Sequence, residues 1–179
     1  MVLVNELVAC ICEGAFERAV VEILLNSDSL EFRWEDLLEG DLIELRSSRR
    51  FSERYLNREY KGSLIRIVRI LDSKSERFNV SFSHQTKISR LQSFYTRPEV
   101  EILIIISEDC YDDYIRNHHR LKPSIYCKTR LGLGDVKRKG FVRDYYRDPK
   151  RLIDALKKYK MWIAHKEPCI YDLIKESMR

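Results

Sequence analysis

The sequence predicts an α/β protein with a mainly parallel sheet, because apolar runs typical of buried strands alternate with segments of helical periodicity. The first unit is the clearest. The apolar run 7–12 ends at a Glu-Gly pair, and apolar residues then recur at helical spacing over 15–25. We expect a core over 1–118 and a basic, helical C-terminal extension over 119–179 that packs on this core.

The next stretch predicts two further strands with a helix between them. A second strand over 41–45 follows Gly40, and the arginine-rich segment 48–60 is typical of a solvated helix. The run 62–78 is ambiguous, because polar residues recur at every third position in its first half. Its isoleucine and valine content favours a strand over its later half, with an end at Asp72 and Ser73.

The segment 98–109 gives the strongest strand prediction, because leucine and β-branched residues follow one another without interruption. A helix is expected to begin near Ser107 or Glu108, with Ser107 as its cap. Apolar spacing predicts one more helix over 152–163 and a last one over 170–178. Strands that alternate with helices in this way are typical of parallel sheets.

Composition and cysteine usage predict a cytoplasmic protein with no membrane partner. No apolar stretch is long enough to span a bilayer, and the run 7–12 lacks the basic leader and the cleavage site of a signal peptide. The five cysteines are odd in number and mostly scattered, which favours reduced, buried thiols over a disulfide framework. Cys10 and Cys12 have no second pair at zinc-ligand spacing.

Positive charge is concentrated in one part of the chain. Fifteen Lys or Arg residues face four Asp residues over 116–160, although the net charge of the whole chain is only +5. Aromatic residues lie among these cations, and this combination is typical of surfaces that bind nucleic acid. The alternative is an ordinary solvated face. The cations predicted to contact nucleic acid are Lys122, Lys128, Lys137, Arg138, Lys139, Arg143 and Arg147.

Carboxylates follow two of the predicted strands. Glu13 ends the first strand, Asp72 ends the third, and Glu76 follows Asp72 by four residues. Sites in open α/β sheets collect at the carboxyl ends of strands, and Mg²⁺ prefers carboxylate oxygens. Each residue also has a structural explanation: Glu13 would cap the following helix, and Asp72 would be a turn residue.

Three motifs resemble the TOPRIM domain of topoisomerases, primases and small nucleases. They are "ACICEGAFERAVVEIL", "IRIVRILDSKSE" and "RPEVEILIII", and the resemblance covers 7–114. It implies a nucleic-acid phosphodiesterase that depends on Mg²⁺ or Mn²⁺, with a role in phage defence as in the compact TOPRIM proteins. Carried over by position, it implies that Glu13 is a general acid/base or metal ligand, that Asp72 binds metal, and that Glu101 adds a ligand or orients one.

One motif departs from the TOPRIM pattern. The usual Asp-x-Asp appears as Asp72-Ser73-Lys74, so either Glu76 replaces the missing carboxylate or the Lys74 ammonium occupies the site. The second case leaves two alternatives without catalysis. One is a module that binds nucleic acid without cutting it, and the other is an interaction subunit whose basic face docks an acidic protein partner.

Overall fold

A parallel sheet organises the computed structural model, which describes residues 5–74, 77–138 and 140–179. Its strands are β1 (Glu6–Cys12), β2 (Leu64–Leu71) and β3 (Ile88–Tyr95), arranged in the order β1-β2-β3. Both strand pairs are parallel, so the carboxyl ends of all three strands meet at one edge of the sheet. The α/β class and the parallel sheet predicted from the sequence are thereby confirmed.

Helices supply the rest of the regular structure in the described ranges. Three of them continue directly into a single π-helical turn. These are α2 (Ser48–Phe51), α5 (Tyr111–Asp113) and α8 (Pro149–Tyr159), and their π-helical turns cover Ser52–Leu56, Tyr114–His118 and Lys160–Ala164. No helix among the described residues is both long and apolar enough to cross a membrane. The α-helices are α1 (Ala15–Asn26), α2 (Ser48–Phe51), α3 (Phe82–Gln85), α4 (Ile102–Ser107), α5 (Tyr111–Asp113), α6 (Pro123–Thr129), α7 (Phe141–Tyr145) and α8 (Pro149–Tyr159).

Both faces of the sheet are covered, which explains why β1 and β2 are mostly apolar and why even Arg66 and Arg69 of β2 are buried. Cys10 and Val68 point to the face that α1, α4 and α8 cover, whereas Ile11 and Ile67 point to the opposite face. The larger buried cluster runs from β1 through to residues of α8 and beyond. Side chains from 1–118 and from 119–179 therefore share one core.

The prediction of a strand over 98–109 is wrong, because Ile102–Ser107 forms helix α4. All five residues Ile102 to Ile106 are fully buried, since α4 packs against α6 and α8 within the larger buried cluster. A helix that is buried all round has no polar face, so its sequence lacks helical periodicity. The prediction of a helix that begins near Ser107 or Glu108 is also wrong, because α4 ends at Ser107.

Other elements differ from their predictions in extent. The segment 41–45 is not a strand, although Ile43 forms an isolated parallel bridge with Ile11. The helix predicted over 48–60 ends at Leu56 and buries Phe51 and Tyr55 instead of being solvated. β2 begins earlier than expected but ends directly before Asp72. Strand β3 was not predicted.

The C-terminal residues return to the loop that follows α1. The helix predicted over 170–178 is instead two short 3₁₀ turns, Ile170–Leu173 and Glu176–Met178. Between them, Ile174 forms an antiparallel bridge with Leu30, and both side chains are fully buried. All five cysteines are free thiols, as expected, and every one except Cys110 is buried.

Candidate site at the carboxyl edge of the sheet

Two of the predicted site residues lie side by side where β1 and β2 end. The backbone N–H of Asp72 donates to Glu13 Oε2 at 2.9 Å. Arg46 Nη2 donates to the backbone carbonyl of Glu13 at 2.9 Å, which fixes the same turn from outside. The neighbouring strand ends beside them, since the Thr96 N–H donates to the Leu71 carbonyl at 3.0 Å. The parallel sheet thus brings Glu13 and Asp72 together, as their positions at strand ends predict.

A pocket of about 240 Å³ opens at this edge, and we call it the acidic pocket. The N-terminus of α1, the residue after β2 and the segment before α4 form its walls. Asp72 and Glu101 line it, whereas Glu13 lies outside the lining and accepts the Asp72 backbone N–H. The lining residues are Gly14, Ala15, Phe16, Glu17, Asp72, Glu99, Val100, Glu101 and Lys137.

Glu17 is the pocket residue that sequence reasoning missed. It lies in the first turn of α1 and is 7% exposed. Burial raises the pKa of its carboxyl group, and the negative charges of Glu101 and Asp72 raise it further. Gly14 leaves room for this carboxylate, because a Cβ at Gly14 would lie 2.6 Å from Glu17 Oε2. The Glu-Gly turn therefore accommodates a second carboxylate, that of Glu17, besides the carboxylate of Glu13.

Glu101 forms the opposite wall of the acidic pocket. It is the residue directly before α4 and is 4% exposed, and burial raises the pKa of its carboxyl group. The Lys137 ammonium lies 3.6 Å from Glu101 Oε1 and opposes that rise. Sequence reasoning placed Glu101 inside a strand, but a helix N-terminus brings it to the predicted edge.

Glu99 also faces the pocket. Its Oε2 accepts from Ser124 Oγ at 2.9 Å, and its Oε1 lies 3.9 Å from Lys122 Nζ. Among the residues that the structure describes, the lining therefore holds four carboxylates against a single ammonium group, that of Lys137. An excess of negative charge in a small, partly desolvated pocket attracts cations.

The carboxylates of the acidic pocket are hard oxygen ligands of the kind that Mg²⁺ prefers. Within 5–74, 77–138 and 140–179, no three His, Cys, Asp or Glu side chains come close enough together to hold a metal ion. Mg²⁺ is commonly bound by only one or two carboxylates, with waters and substrate phosphates as further ligands. Asp72 with Glu17 or Glu101 fits that mode, and Glu76 lies outside the described residues.

Lys74 does not line the acidic pocket. Its Nζ lies 2.7 Å from Glu167 Oε1 and 5.6 Å from the centre of the Tyr95 ring. Arg97 also pairs with Glu167. The lysine of the Asp72-Ser73-Lys74 motif therefore points to the C-terminal segment, and Lys137 supplies the ammonium group among the described residues that line the acidic pocket.

A larger cleft of about 810 Å³ adjoins the acidic pocket, and Ala15, Phe16 and Lys137 line both. Of the predicted nucleic-acid contacts, Lys137, Arg138 and Arg143 line this large cleft. Lys122, Lys128 and Arg147 are exposed on other parts of the surface, and Lys139 lies outside the described residues.

The large cleft carries charges of both signs. Glu22, Asp41 and Glu44 line it as well, and all three pair with Arg18. Arg143 forms an ion pair with Glu22, and Arg138 lies 3.9 Å from Asp144. Arg54 also lines the cleft and stacks over the Tyr55 ring at 5.2 Å. The side chains of Lys137, Arg138 and Arg143 are each more than half exposed although each pairs with a carboxylate, so a polyanion can reach them. Among the described residues, the opposite wall carries four carboxylates, those of Glu22, Glu39, Asp41 and Glu44, against the guanidinium groups of Arg18 and Arg54.

The aromatic residues of the basic region mostly belong to the core. Tyr126 and Tyr146 are 2% and 1% exposed, so their rings are inaccessible to bases. Phe141 and Tyr145 are half-buried and stack on each other with ring centres 5.6 Å apart. Any attraction of this region for nucleic acid therefore comes from its cations.

Glu17→Gln is expected to stabilise the protein at pH 7. The folded state raises the pKa of Glu17 above its ordinary value of 4.5. As the pH rises above that value, the carboxyl group ionises first in the unfolded chain, and this lowers the free energy of unfolding. Glutamine cannot ionise, so the variant avoids this loss. Single stabilising substitutions commonly contribute about 0.5–2 kcal/mol. Thermal melting at pH 7 and at pH 4 measures the difference, which should shrink at the lower pH.

Glu176→Gln is the matched control, because Glu176 is exposed and its replacement removes the same charge. It should leave the melting temperature unchanged at both pH values. A Glu17→Gln variant that melts below the wild type at pH 7 would show that the ionised carboxylate is stabilised in the pocket, contrary to the raised pKa.

Comparison with known proteins assigns no relationship: no family model, no curated protein and no solved structure matches the chain. Function is consequently inferred from the geometry of the acidic pocket and the large cleft. Both lie at the carboxyl edge or beside it, where α/β sheets commonly place their sites.

Proposed function

We propose that this protein cleaves phosphodiester bonds of nucleic acid in a reaction that depends on Mg²⁺ or Mn²⁺, with the acidic pocket as its active site. One observation carries the proposal: Glu17, Asp72 and Glu101 come from three separate elements, line one pocket and adjoin a cleft lined by exposed cations. This is also the activity that the resemblance to TOPRIM domains implies.

Asp72, together with Glu17 or Glu101, would hold the ion in the acidic pocket. When bound, Mg²⁺ would neutralise charge on the scissile phosphate and lower the pKa of a water molecule. Glu13 positions Asp72, because its carboxylate accepts the Asp72 N–H. If Glu101 is the second ligand, the buried carboxylate of Glu17 lies in the same pocket and is placed to take a proton from that water.

The large cleft would hold the nucleic-acid strand next to the acidic pocket. Lys137, Arg138 and Arg143 supply cations along the wall nearest to the pocket. Such side chains bind phosphates and fix the position of a strand, but they carry no base specificity. We therefore propose a nuclease with little sequence preference.

A second candidate function is nucleic-acid binding without cleavage. The observation that favours it is the ion pair between Lys137 and Glu101 at 3.6 Å, because an ammonium group then neutralises one of the carboxylates that a metal ion would use. The cations of the large cleft serve a binding module equally well.

Incubation of the purified protein with labelled DNA and RNA oligonucleotides distinguishes the two functions. We expect cleavage with Mg²⁺ or Mn²⁺, no cleavage in EDTA, and recovery when excess Mg²⁺ is added. Salt-dependent binding without cleavage under any of these conditions would support the binding module. A protein that neither binds nor cleaves any of the oligonucleotides would contradict both functions.

A further inference from the structure

Glu167 bridges two cations at the carboxyl edge of the sheet. Its Oε1 lies 2.7 Å from Lys74 Nζ, and its Oε2 accepts from Arg97 Nη2. The hydrogen bonds from Lys74 and Arg97 lower the pKa of the Glu167 carboxyl group. One carboxylate thus faces two cations, so the cluster keeps a net positive charge.

This cluster lies beside the acidic pocket. Lys74 follows Asp72 by two residues, and Arg97 follows the end of β3 by two residues. The backbone hydrogen bond from Thr96 to Leu71, at 3.0 Å, holds the two strand ends next to each other. A phosphate bound to Lys74 and Arg97 would therefore belong to a strand that also passes near Asp72.

The backbone around Glu167 is fixed, whereas its carboxylate is accessible. The Pro168 carbonyl accepts from the Tyr95 N–H at 2.9 Å, and the Glu167 carbonyl accepts from Lys160 Nζ at 2.8 Å. The side chains of Lys74, Arg97 and Glu167 are 49%, 43% and 37% exposed. Exposed ion pairs contribute little to stability, so an anion from solution can replace this carboxylate without unfolding the segment.

We propose that Lys74 and Arg97 form a phosphate subsite for the nucleic-acid strand, and that the Glu167 carboxylate occupies this subsite in the free protein. The proposal rests on the proposed function, because the phosphate is taken to belong to nucleic acid. A phosphodiester carries one negative charge and two unesterified oxygens, as a carboxylate does, so the guanidinium and the ammonium group can bind either anion through charge-assisted hydrogen bonds. Glu167 then competes with the strand.

Binding of a labelled single-stranded oligodeoxynucleotide in EDTA tests the subsite without any cleavage. Glu167→Gln should tighten binding by about threefold or more, because it frees both cations. Lys74→Ala and Arg97→Ala should each weaken binding by about threefold or more and reduce the salt slope by about 0.7. Combining Lys74→Ala with Glu167→Gln should cancel most of the gain.

Asp109→Asn is the matched control, because Asp109 pairs with Lys158 Nζ at 2.7 Å on another surface. It removes the same charge and also frees a lysine, and asparagine tolerates the positive φ of 52° at this position. Equal tightening by Asp109→Asn would overturn the subsite, since net charge alone would then explain the gain. Unchanged affinity in Glu167→Gln, or a wild type that binds no oligonucleotide, would overturn it as well.

The outcome is separable from that of the proposed function. If the binding changes occur as expected but no metal supports cleavage, the subsite stands and the nuclease proposal fails. If the wild type cleaves with Mg²⁺ while none of the three single variants alters binding in EDTA, the subsite fails and the nuclease proposal stands.

Discussion

Asp72→Asn is expected to reduce Mg²⁺-dependent cleavage by at least about 100-fold while the fold is retained, because even residues that only orient a metal ligand typically cost 10–100-fold when changed. Asp72 lines the acidic pocket at the end of the central strand, so asparagine keeps its shape and removes its charge. Initial cleavage rates at several Mg²⁺ concentrations measure the effect. Asp112→Asn removes the same charge from an exposed residue of α5 and should cleave like the wild type.

Glu13 variants extend the same experiment. Glu13→Gln keeps an oxygen that can accept the Asp72 N–H, whereas Glu13→Ala removes it. If Glu13 only positions Asp72, the Gln variant should remain active and the Ala variant should lose activity. If the charge of Glu13 takes part in the reaction, both variants should be inactive. Full activity of Asp72→Asn would contradict the assignment of the acidic pocket as the active site.

Ile104→Ala is expected to lower the free energy of unfolding by about 2–5 kcal/mol, the usual cost of truncating a fully buried isoleucine. Ile104 lies within α4 and is 0% exposed, surrounded by the larger buried cluster. Alanine is a better helix former than isoleucine, so the loss would come from packing and not from helix propensity. Chemical denaturation followed by circular dichroism measures the change.

Met161→Ala is the control for this core prediction. Met161 also lies in helical structure, in the π-helical turn that continues α8, but it is 61% exposed. Its truncation should change the free energy of unfolding by no more than about 0.5 kcal/mol. Equal losses for the two variants would show that α4 does not form the centre of the core.

The sequence predicts β1 and α1 well because each has its own local signal. β1 is a short apolar run that a Glu-Gly turn ends, and α1 alternates buried and polar faces at helical spacing. The end of β2 was predictable in the same way, since Asp72 interrupts the apolar run. Local patterns therefore place the two strand ends that carry Glu13 and Asp72.

Helix α4 and strand β3 could not be predicted because their tertiary surroundings decide them. α4 is apolar on all sides, so neither a strand nor a helical period distinguishes it. β3 is an edge strand whose residues Ser89, Arg90 and Leu91 are exposed, and its sequence lacks the apolar character of β1 and β2. Without a family to compare, only the packed chain reveals these two elements.

The site shows the same division between local and tertiary information. Glu13 and Asp72 follow strands that are visible in the sequence, whereas Lys137 reaches Glu101 from a loop far along the chain. Glu17 is not among the carboxylates that the sequence analysis singled out. Its position in the first turn after a strand was the available signal, because a helix that starts at a strand end presents its first turn to the same edge.

The return of the C-terminal residues to the loop after α1 has a consequence for how the chain acquires its structure during synthesis. Leu30 and Ile174 pair across the molecule, with backbone hydrogen bonds of 2.9 Å from Glu31 to Leu173 and from Lys175 to Ser29. The residues of α1 emerge early during synthesis, but these bonds wait until residues 173–175 have left the ribosome. Contacts of such long range slow folding. The final closure of the core is therefore a late step of folding.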